Sequence, residues 1–350
     1  MNKPARFGLI GLGWRGEMYL RLARQLPQWF EPAGIAVRDP DKYRAAAAEW
    51  GLPLFRTPRE LARECDFLVA AVSKSSAPDL LAQLAASGIP VLAETPPATD
   101  EAGLRQMAAL AALHPRIQVA EQYPLQPHHA ARTALIASGT VGEVRHVQVS
   151  AGHGYHGIAL IRRWLGVADE RCRIVAQRFE HPVLEVPVRG RSVTDKVETE
   201  LQDIALLSFE GGQSAVFDFT RSQYFSPLRQ NRILIRGSHG EIRDNEVTRS
   251  LGGGAFEALT IRRIQDGMEG SLAPASLREL RAGGKHLYKN LFYPAPLSDE
   301  ELAMAEALRA MGEYMQTGKS FYSLKEALDD LRLSLAMDSA IASGSTVVSM

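Results

Sequence analysis

Cysteine is scarce in this 350-residue chain: only Cys65 and Cys172 occur, far apart and with no metal-ligand spacing around them. That argues against a disulfide framework or a cysteine-built metal site and predicts two buried or half-buried thiols in a reducing cytoplasm. Charge of one sign is also lacking, since 40 Lys and Arg balance 40 Asp and Glu. A neutral chain has no general electrostatic grip on nucleic acid or an anionic membrane, so neither is expected as a partner. No apolar run is long enough to span a bilayer. The opening Met1-Asn2-Lys3-Pro4-Ala5-Arg6 leads straight into a strand pattern, so no signal peptide and a cytoplasmic location are expected. Internal repeats and low-complexity tracts are absent from the sequence. What remains is 45% hydrophobic and 23% charged, ordinary for a globular protein and too long for one core.

The first part alternates short apolar runs with helical patterns, which predicts a parallel sheet covered by helices. Arg6–Gly11 reads as the first strand. Tyr19, Leu22, Ala23 and Leu26 then form one face of a helix closed by Pro27. Gly34–Arg38 reads as the second strand, followed by Asp39-Pro40 as helix cap and first helical residue, with Tyr43, Ala46, Ala47 and Trp50 as its buried stripe. Phe67–Val72, Ile89–Ala93 and Ile117–Ala120 read as further buried strands. After this the pattern changes. Val144–Ser150, the pair Leu201–Phe209 and Ser214–Thr220 around Glu210-Gly211-Gly212-Gln213, and Arg232–Arg236 with Glu241–Arg243 predict antiparallel strands. Gly252-Gly253-Gly254 and Gly267–Ala282 read as loops, and two helices close the chain. The expected organisation is α/β: a Rossmann dinucleotide-binding domain over 1–122, then an α+β domain over 123–350 on a mostly antiparallel sheet. The last helices are free to pack back on the first domain.

Gly11-Leu12-Gly13-Trp14-Arg15-Gly16 carries the strongest chemical signal. A GxGxxG motif alone is weak, but this one follows the first strand and opens an amphipathic helix. The first glycine allows a tight turn, the second lets backbone approach a pyrophosphate, and the third allows close helix–strand packing. The helix N-terminus adds amide donors and positive dipole. The alternative is a glycine-rich turn with no ligand. Cofactor choice turns on Val37-Arg38-Asp39: an acidic residue accepts ribose hydroxyls, whereas an arginine pairs with a 2′-phosphate. Asp39 is already explained as a cap, so Arg38 tilts the expectation from NAD towards NADP.

With this fingerprint, Glu94-Thr95-Pro96 after the fifth strand, and Ser138-Gly139-Thr140-Val141-Gly142-Glu143-Val144, the chain resembles the glucose-fructose oxidoreductase / inositol dehydrogenase / rhizopine catabolism (Gfo/Idh/MocA) family. The segment from Gly318 through Tyr322-Ser323-Leu324 to Gly344 extends the likeness over essentially the whole chain. The resemblance implies NAD(P)-dependent oxidation or reduction of a sugar or cyclitol hydroxyl or carbonyl. It also implies a C-terminal sheet that forms oligomer contacts. Two departures stand out. The family's Glu-Lys-Pro is Glu94-Thr95-Pro96 here, so Thr95 offers a hydrogen bond but no charge. The family's catalytic histidine matches His156, but its two carboxylate positions hold Gly152 and Ala159.

His153, Tyr155 and His156 cluster on what reads as a glycine-rich turn before a helix at about Ile158–Leu165. A histidine titrating near neutrality suits the proton that accompanies each hydride step. Against this stands a capping or hydrogen-bonded structural role, and for Tyr155 simple packing. Ser73 and Lys74 follow the fourth strand at the sheet edge where ligands bind, and Lys74 could supply the missing cation or be a solvated loop lysine. Glu94 falls at the same edge. Gln122 and Tyr123 end the sixth strand beside it as candidate substrate contacts. His128-His129 and Arg162-Arg163 read as surface positions. The leading expectation is an oxidoreductase with His156 as acid–base and Thr95 or Tyr155 orienting oxygen. The alternatives are a nicotinamide-assisted lyase or glycosidase with transient oxidation, and a non-catalytic cofactor-binding regulator. An open second sheet implies a homo-dimer or homo-tetramer, because its exposed face or edge needs cover.

Overall fold

A computed structural model describes residues 3–113, 116–188, 192–267 and 274–349. The chain folds into two units. The first comprises Met1–Pro127, Gln265–Arg278 and Asn290–Leu331; the second comprises His128–Ile264, Glu279–Lys289 and Arg332–Met350. In the first unit β1 (Ala5–Ile10), α1 (Trp14–Gln25), β2 (Phe30–Ala36), α2 (Pro40–Trp50), β3 (Leu54–Phe55), α3 (Pro58–Leu61), β4 (Phe67–Ala70), α4 (Ala77–Ala86), β5 (Val91–Ala93), α5 (Glu101–Leu113) and β6 (Ile117–Val119) follow one another. Their strands pair in parallel in the order β3-β2-β1-β4-β5-β6. This is the dinucleotide-binding arrangement, in which ligands meet the carboxyl ends of the strands.

The apolar runs account for this sheet. Phe67, Leu68, Val69 and Ala70 are all buried, as expected for a strand covered on both faces. Tyr19, Leu22, Ala23 and Leu26 are buried as their spacing requires, each large side chain contributing about 1.5–3 kcal/mol. The second strand sits earlier than its sequence reading, over Phe30–Ala36, so Arg38 stands two residues past its end. Of the expected α2 stripe only Ala47 is fully buried; Tyr43, Ala46 and Trp50 are half-buried, and Trp50 lies under the Arg24 guanidinium (4.1 Å). The C-terminal segment of this unit is tied to the β6 edge by Gln118. Its buried amide oxygen accepts from Ser320 Oγ, Phe321 N and Tyr322 N (2.8, 3.1 and 3.3 Å).

The second unit is built from α6 (Pro127–Ala137), β7 (Val144–Ser150), α7 (Gly154–Leu165), β8 (Cys172–Leu184), β9 (Val197–Phe209), β10 (Ser214–Thr220), β11 (Arg232–Gly237), β12 (Gly240–Arg243), β13 (Glu246–Gly252) and β14 (Ala255–Thr260). After β15 (Arg262–Asp266), β16 (Ser276–Ala282) and β17 (Lys285–Lys289) come α8 (Asp299–Thr317), which packs on α1 and β1, and α9 (Leu324–Ser343), then β18 (Val347–Ser349). The nine-stranded sheet runs β14-β13-β12-β11-β7-β10-β9-β8-β18, antiparallel except for the β7–β10 pair.

Several sequence readings are corrected here. The glycines at 252–254 are the turn of the β13–β14 hairpin, each with positive φ, rather than a free loop. Within Gly267–Ala282 the end is strand β16, paired with β17, while residues 268–273 lie outside the described residues. Strand β8 was not apparent in the sequence because polar and charged side chains occupy most of its exposed positions, hiding the inward Cys172, Ile174 and Ala176. The helix expected from Ile158 begins four residues earlier, at Gly154. Gly157 is needed there for packing: a Cβ at this position would lie 2.4 Å from the Phe217 ring of β10. His129 and Arg162, read as surface residues, are buried. His129 packs against Trp164 (5.5 Å) and bonds Arg132, while Arg162 Nη2 donates to Ala168 O (3.2 Å). Burial, then the Arg132 and His128 charges, hold His129 well below the ordinary histidine value. Among the described residues no helix is long and apolar enough to cross a membrane, and no cluster of metal-capable side chains occurs.

Candidate dinucleotide site and histidine cluster

The fingerprint loop joins β1 to α1, and each of its glycines has a distinct steric reason. Gly11 has φ +89°, and a Cβ there would lie 2.6 Å from Ala71 O. A Cβ on Gly16 would lie 2.6 Å from Gly11 O and 3.3 Å from Leu9 Cδ2. Gly13, exposed at the helix N-cap, has nothing within 4 Å of its virtual Cβ. The first and third glycines are therefore set by packing, and the second by none. An open backbone position at a helix N-terminus, where the first amides have no intrahelical carbonyl, fits a diphosphate. Leu12 is buried and Trp14 exposed (47%).

Arg15 does not project from this loop. Its side chain is only 20% exposed; Nη1 pairs with Glu300 (3.0 Å) and Nε approaches Glu94 (3.4 Å). With its amide oriented to satisfy both ends, Gln122 accepts from Arg15 Nη2 (3.0 Å) and donates to Ala120 O (2.9 Å). The other Glu94 oxygen accepts from Tyr19 Oη (2.5 Å), and Thr95 N also donates to the carboxylate (3.3 Å). Burial lowers the Arg15 guanidinium, but Glu94, Tyr19 and Glu300 outweigh it and raise it above its ordinary value. Tyr19 is pushed well up by burial and then by Glu94. Glu121, wholly buried beside these charges, rises to about 8; burial is the main cause, the Tyr123 N–H bond opposes it, and Glu94 adds to it. Thus Arg15, Glu94 and Gln122 come together as a polar clasp beneath the loop. Sequence reasoning missed Tyr19, Glu121 and Glu300 as members. The spacing of Tyr19 places it on the apolar stripe of α1, and Glu300 comes from a helix 285 residues away from Arg15.

Lys74 opens a short 3₁₀ turn after β4 and lines one small recess with Val72, Glu94, Thr95 and Pro96. Lys74 and Thr95 thus line the same recess. Ser73 Oγ bonds Ser76 Oγ (2.8 Å). Tyr123, half-buried, begins the short turn after β6, and its N–H caps Glu121 (2.9 Å). Arg38 lies exposed on the wall of a pocket at the carboxyl ends of β1, β2 and β4.

In the second unit His153 is the N-cap of α7, and Tyr155 and His156 occupy its first turn, not a preceding loop. The two imidazoles lie 4.5 Å apart, and Tyr155 meets His156 edge-on at 5.5 Å. His153 is half-buried, whereas Tyr155 and His156 are 2% and 5% exposed. Tyr224, which the sequence reading passed over, accepts from His153 N (2.8 Å) and itself packs on Phe219 (5.0 Å). A helical first turn fixes the imidazole direction more tightly than a loop does. The cluster has the groups for proton transfer and oxygen orientation.

The comparisons agree with this geometry. Residues 5–122 match the family model GFO_IDH_MocA, described as "Oxidoreductase family, NAD-binding Rossmann fold". No curated protein matches the chain by sequence. Among solved structures it is similar to a levoglucosan dehydrogenase in complex with NADH and levoglucosan (17% identity, 99% of each chain, TM-score 0.71). It is also similar to an oxidoreductase from Agrobacterium radiobacter in complex with NAD+, L-tartaric acid and magnesium (17%, 98% of each chain, 0.69). A myo-inositol dehydrogenase from Corynebacterium glutamicum ATCC 13032 shares the fold too (16%, 99% of this chain and 98% of that one, 0.66). Residues 5–122 thus carry the NAD-binding Rossmann fold described by the Gfo/Idh/MocA oxidoreductase family model.

Proposed function

We propose that the protein catalyses NAD(P)-dependent hydride transfer to or from a hydroxyl or carbonyl of a sugar- or cyclitol-like molecule, with His156 as the acid–base group. The observation that carries this is Gly13, an N-cap with open space where the two flanking glycines have none. When bound, a nicotinamide ring supplies the hydride acceptor or donor. The residues of this chain would do the rest. Backbone amides of the fingerprint loop hold the diphosphate, and the Arg15–Glu94–Tyr19 clasp keeps that loop and Thr95 in place. Lys74 stands near Thr95, where a cation eases the movement of charge on oxygen. His156 takes or returns the hydroxyl proton, and Tyr155 and His153 are candidates to orient the substrate oxygen. The likeness to sugar and cyclitol dehydrogenases supports the substrate class.

The test is incubation of the purified protein with oxidised cofactor and a panel of sugars and cyclitols, reading formation of reduced nicotinamide. His156→Ala should lower turnover by about 10²–10⁴-fold, the usual scale for a positioned acid–base group, while leaving cofactor affinity unchanged. Full turnover in that variant, or product without net change in reduced cofactor, contradicts the proposal. A homo-oligomer has a physical basis in the open face of the nine-stranded sheet, where the cross-strand pair Val175 and Leu206 is 45% and 53% exposed. Mass measurement in solution checks it.

A further inference from the structure

Next to the pyrophosphate cradle, a pocket of about 380 Å³ opens at the carboxyl ends of β1 to β4, starting at Ile10, the residue before Gly11. Its wall carries two guanidinium groups, Arg38 beyond β2 and Arg56 beyond β3. Resting on the reading that this unit binds a nicotinamide dinucleotide, we propose that Arg56, together with Arg38, grips a phosphate on the 2′ oxygen of the adenosine ribose. The pair would thereby select NADP(H) over NAD(H).

The backbone brings both residues to the wall of one pocket. Ala36 pairs with Phe55 in parallel register, and Val37 N donates to Phe55 O (3.2 Å). Arg38 and Arg56 thus leave adjacent strands, about 4.8 Å apart, immediately after their last shared bond. Both are exposed, and neither guanidinium has a hydrogen-bond or ion-pair partner among the described residues. The carboxylate best placed for ribose hydroxyls, Asp39, is turned into its own helix, where Oδ1 accepts from Lys42 N (3.3 Å). Asp79 is the one carboxylate lining the pocket, and it accepts from Gln106 Nε2 (3.3 Å). Two cations against one anion leave the pocket net positive. The hydroxyls of Ser75 and Ser76 add donors, and Val37, Val72 and Leu80 provide apolar surface for an adenine ring. A doubly charged phosphate is the chemistry that two forked, unpaired guanidiniums recognise, each making charge-assisted bonds in a geometry lysine does not reproduce.

The experiment is equilibrium binding of NADPH and NADH to the full-length protein. Adenosine 2′,5′-bisphosphate and 5′-AMP serve as non-redox probes, and Arg38→Ala, Arg56→Ala and Arg56→Lys as variants. Wild type should bind NADPH at least about tenfold more tightly than NADH, and the bisphosphate more tightly than 5′-AMP. Arg56→Ala should cost about tenfold or more in NADPH affinity with NADH unchanged, and Arg56→Lys should recover only part of the loss. The preference should weaken as salt is raised. Equal affinity for NADPH and NADH, or an Arg56→Ala loss shared by both, overturns the phosphate clamp while leaving the nicotinamide reading intact. Binding of neither dinucleotide removes both.

Discussion

Alanine substitutions at Gly13 and Gly16 should separate ligand geometry from packing. At Gly16 the added methyl would sit 2.6 Å from Gly11 O, a backbone atom with nowhere to move. Overpacking of this kind costs about 1–3 kcal/mol. At Gly13 the methyl meets no heavy atom within 4 Å, so only the weaker capping of alanine is lost, about 1 kcal/mol. Thermal melting in the absence of cofactor should therefore fall more for Gly16→Ala than for Gly13→Ala, at roughly 2–4 °C per kcal/mol. Adding dinucleotide should raise the melting temperature of Gly16→Ala more than that of Gly13→Ala. At a hundredfold excess over the dissociation constant, binding stabilises the native state by about 2.7 kcal/mol, a rise of roughly 5–10 °C in wild type. The Gly13 methyl occupies the approach of the diphosphate. A ten- to hundredfold loss of affinity would cut that gain to between about 1.4 and 0.4 kcal/mol. If Gly13→Ala melts with the full wild-type rise at the same cofactor concentration, the diphosphate does not lie over this residue.

Glu121 should make the protein pH-sensitive in a defined direction. Its ordinary value is 4.5 and its folded value about 8, so between those pH values the native state holds a proton that the unfolded chain releases. Stability should fall as pH rises through this window, by at most about 5 kcal/mol, with the penalty absent below it and complete above it. Glu121→Gln should flatten this part of the denaturant-midpoint profile; an unchanged slope would show that the carboxyl is not held protonated. In the second unit, Gly157→Ala should cost about 1–3 kcal/mol, because its Cβ would lie 2.4 Å from the Phe217 ring. A neutral outcome would mean that α7 has room to shift on β10.

The first unit was largely legible because its signals are local. Buried parallel strands read as continuous apolar runs, and Asp39 caps its helix as its position suggests, accepting from Lys42 N (3.3 Å). The fingerprint glycines could be read by type, but their separate reasons could not. Only the fold shows that Gly11 and Gly16 are confined by backbone oxygen and that Gly13 is not. The Arg15 clasp was hidden because its acidic partners come from β5 and from α8. In the second unit the helix start was misread for a physical reason: Gly152, Gly154 and Gly157 look like turn residues. In fact Gly152 alone has positive φ, while Gly154 and Gly157 are helical and serve close approach. Arg56 carried no signal alone; it gains meaning only when β3 pairs with β2 and brings it to the pocket that Arg38 also lines.

The central claim, that the amides opening α1 hold the diphosphate of a nicotinamide dinucleotide, is tested most directly by a crystal structure with saturating NADPH. The diphosphate oxygens should lie over Gly13, at about 2.7–3.2 Å from the backbone nitrogens that follow it. A dinucleotide seated elsewhere, or none bound at saturation, would contradict the claim.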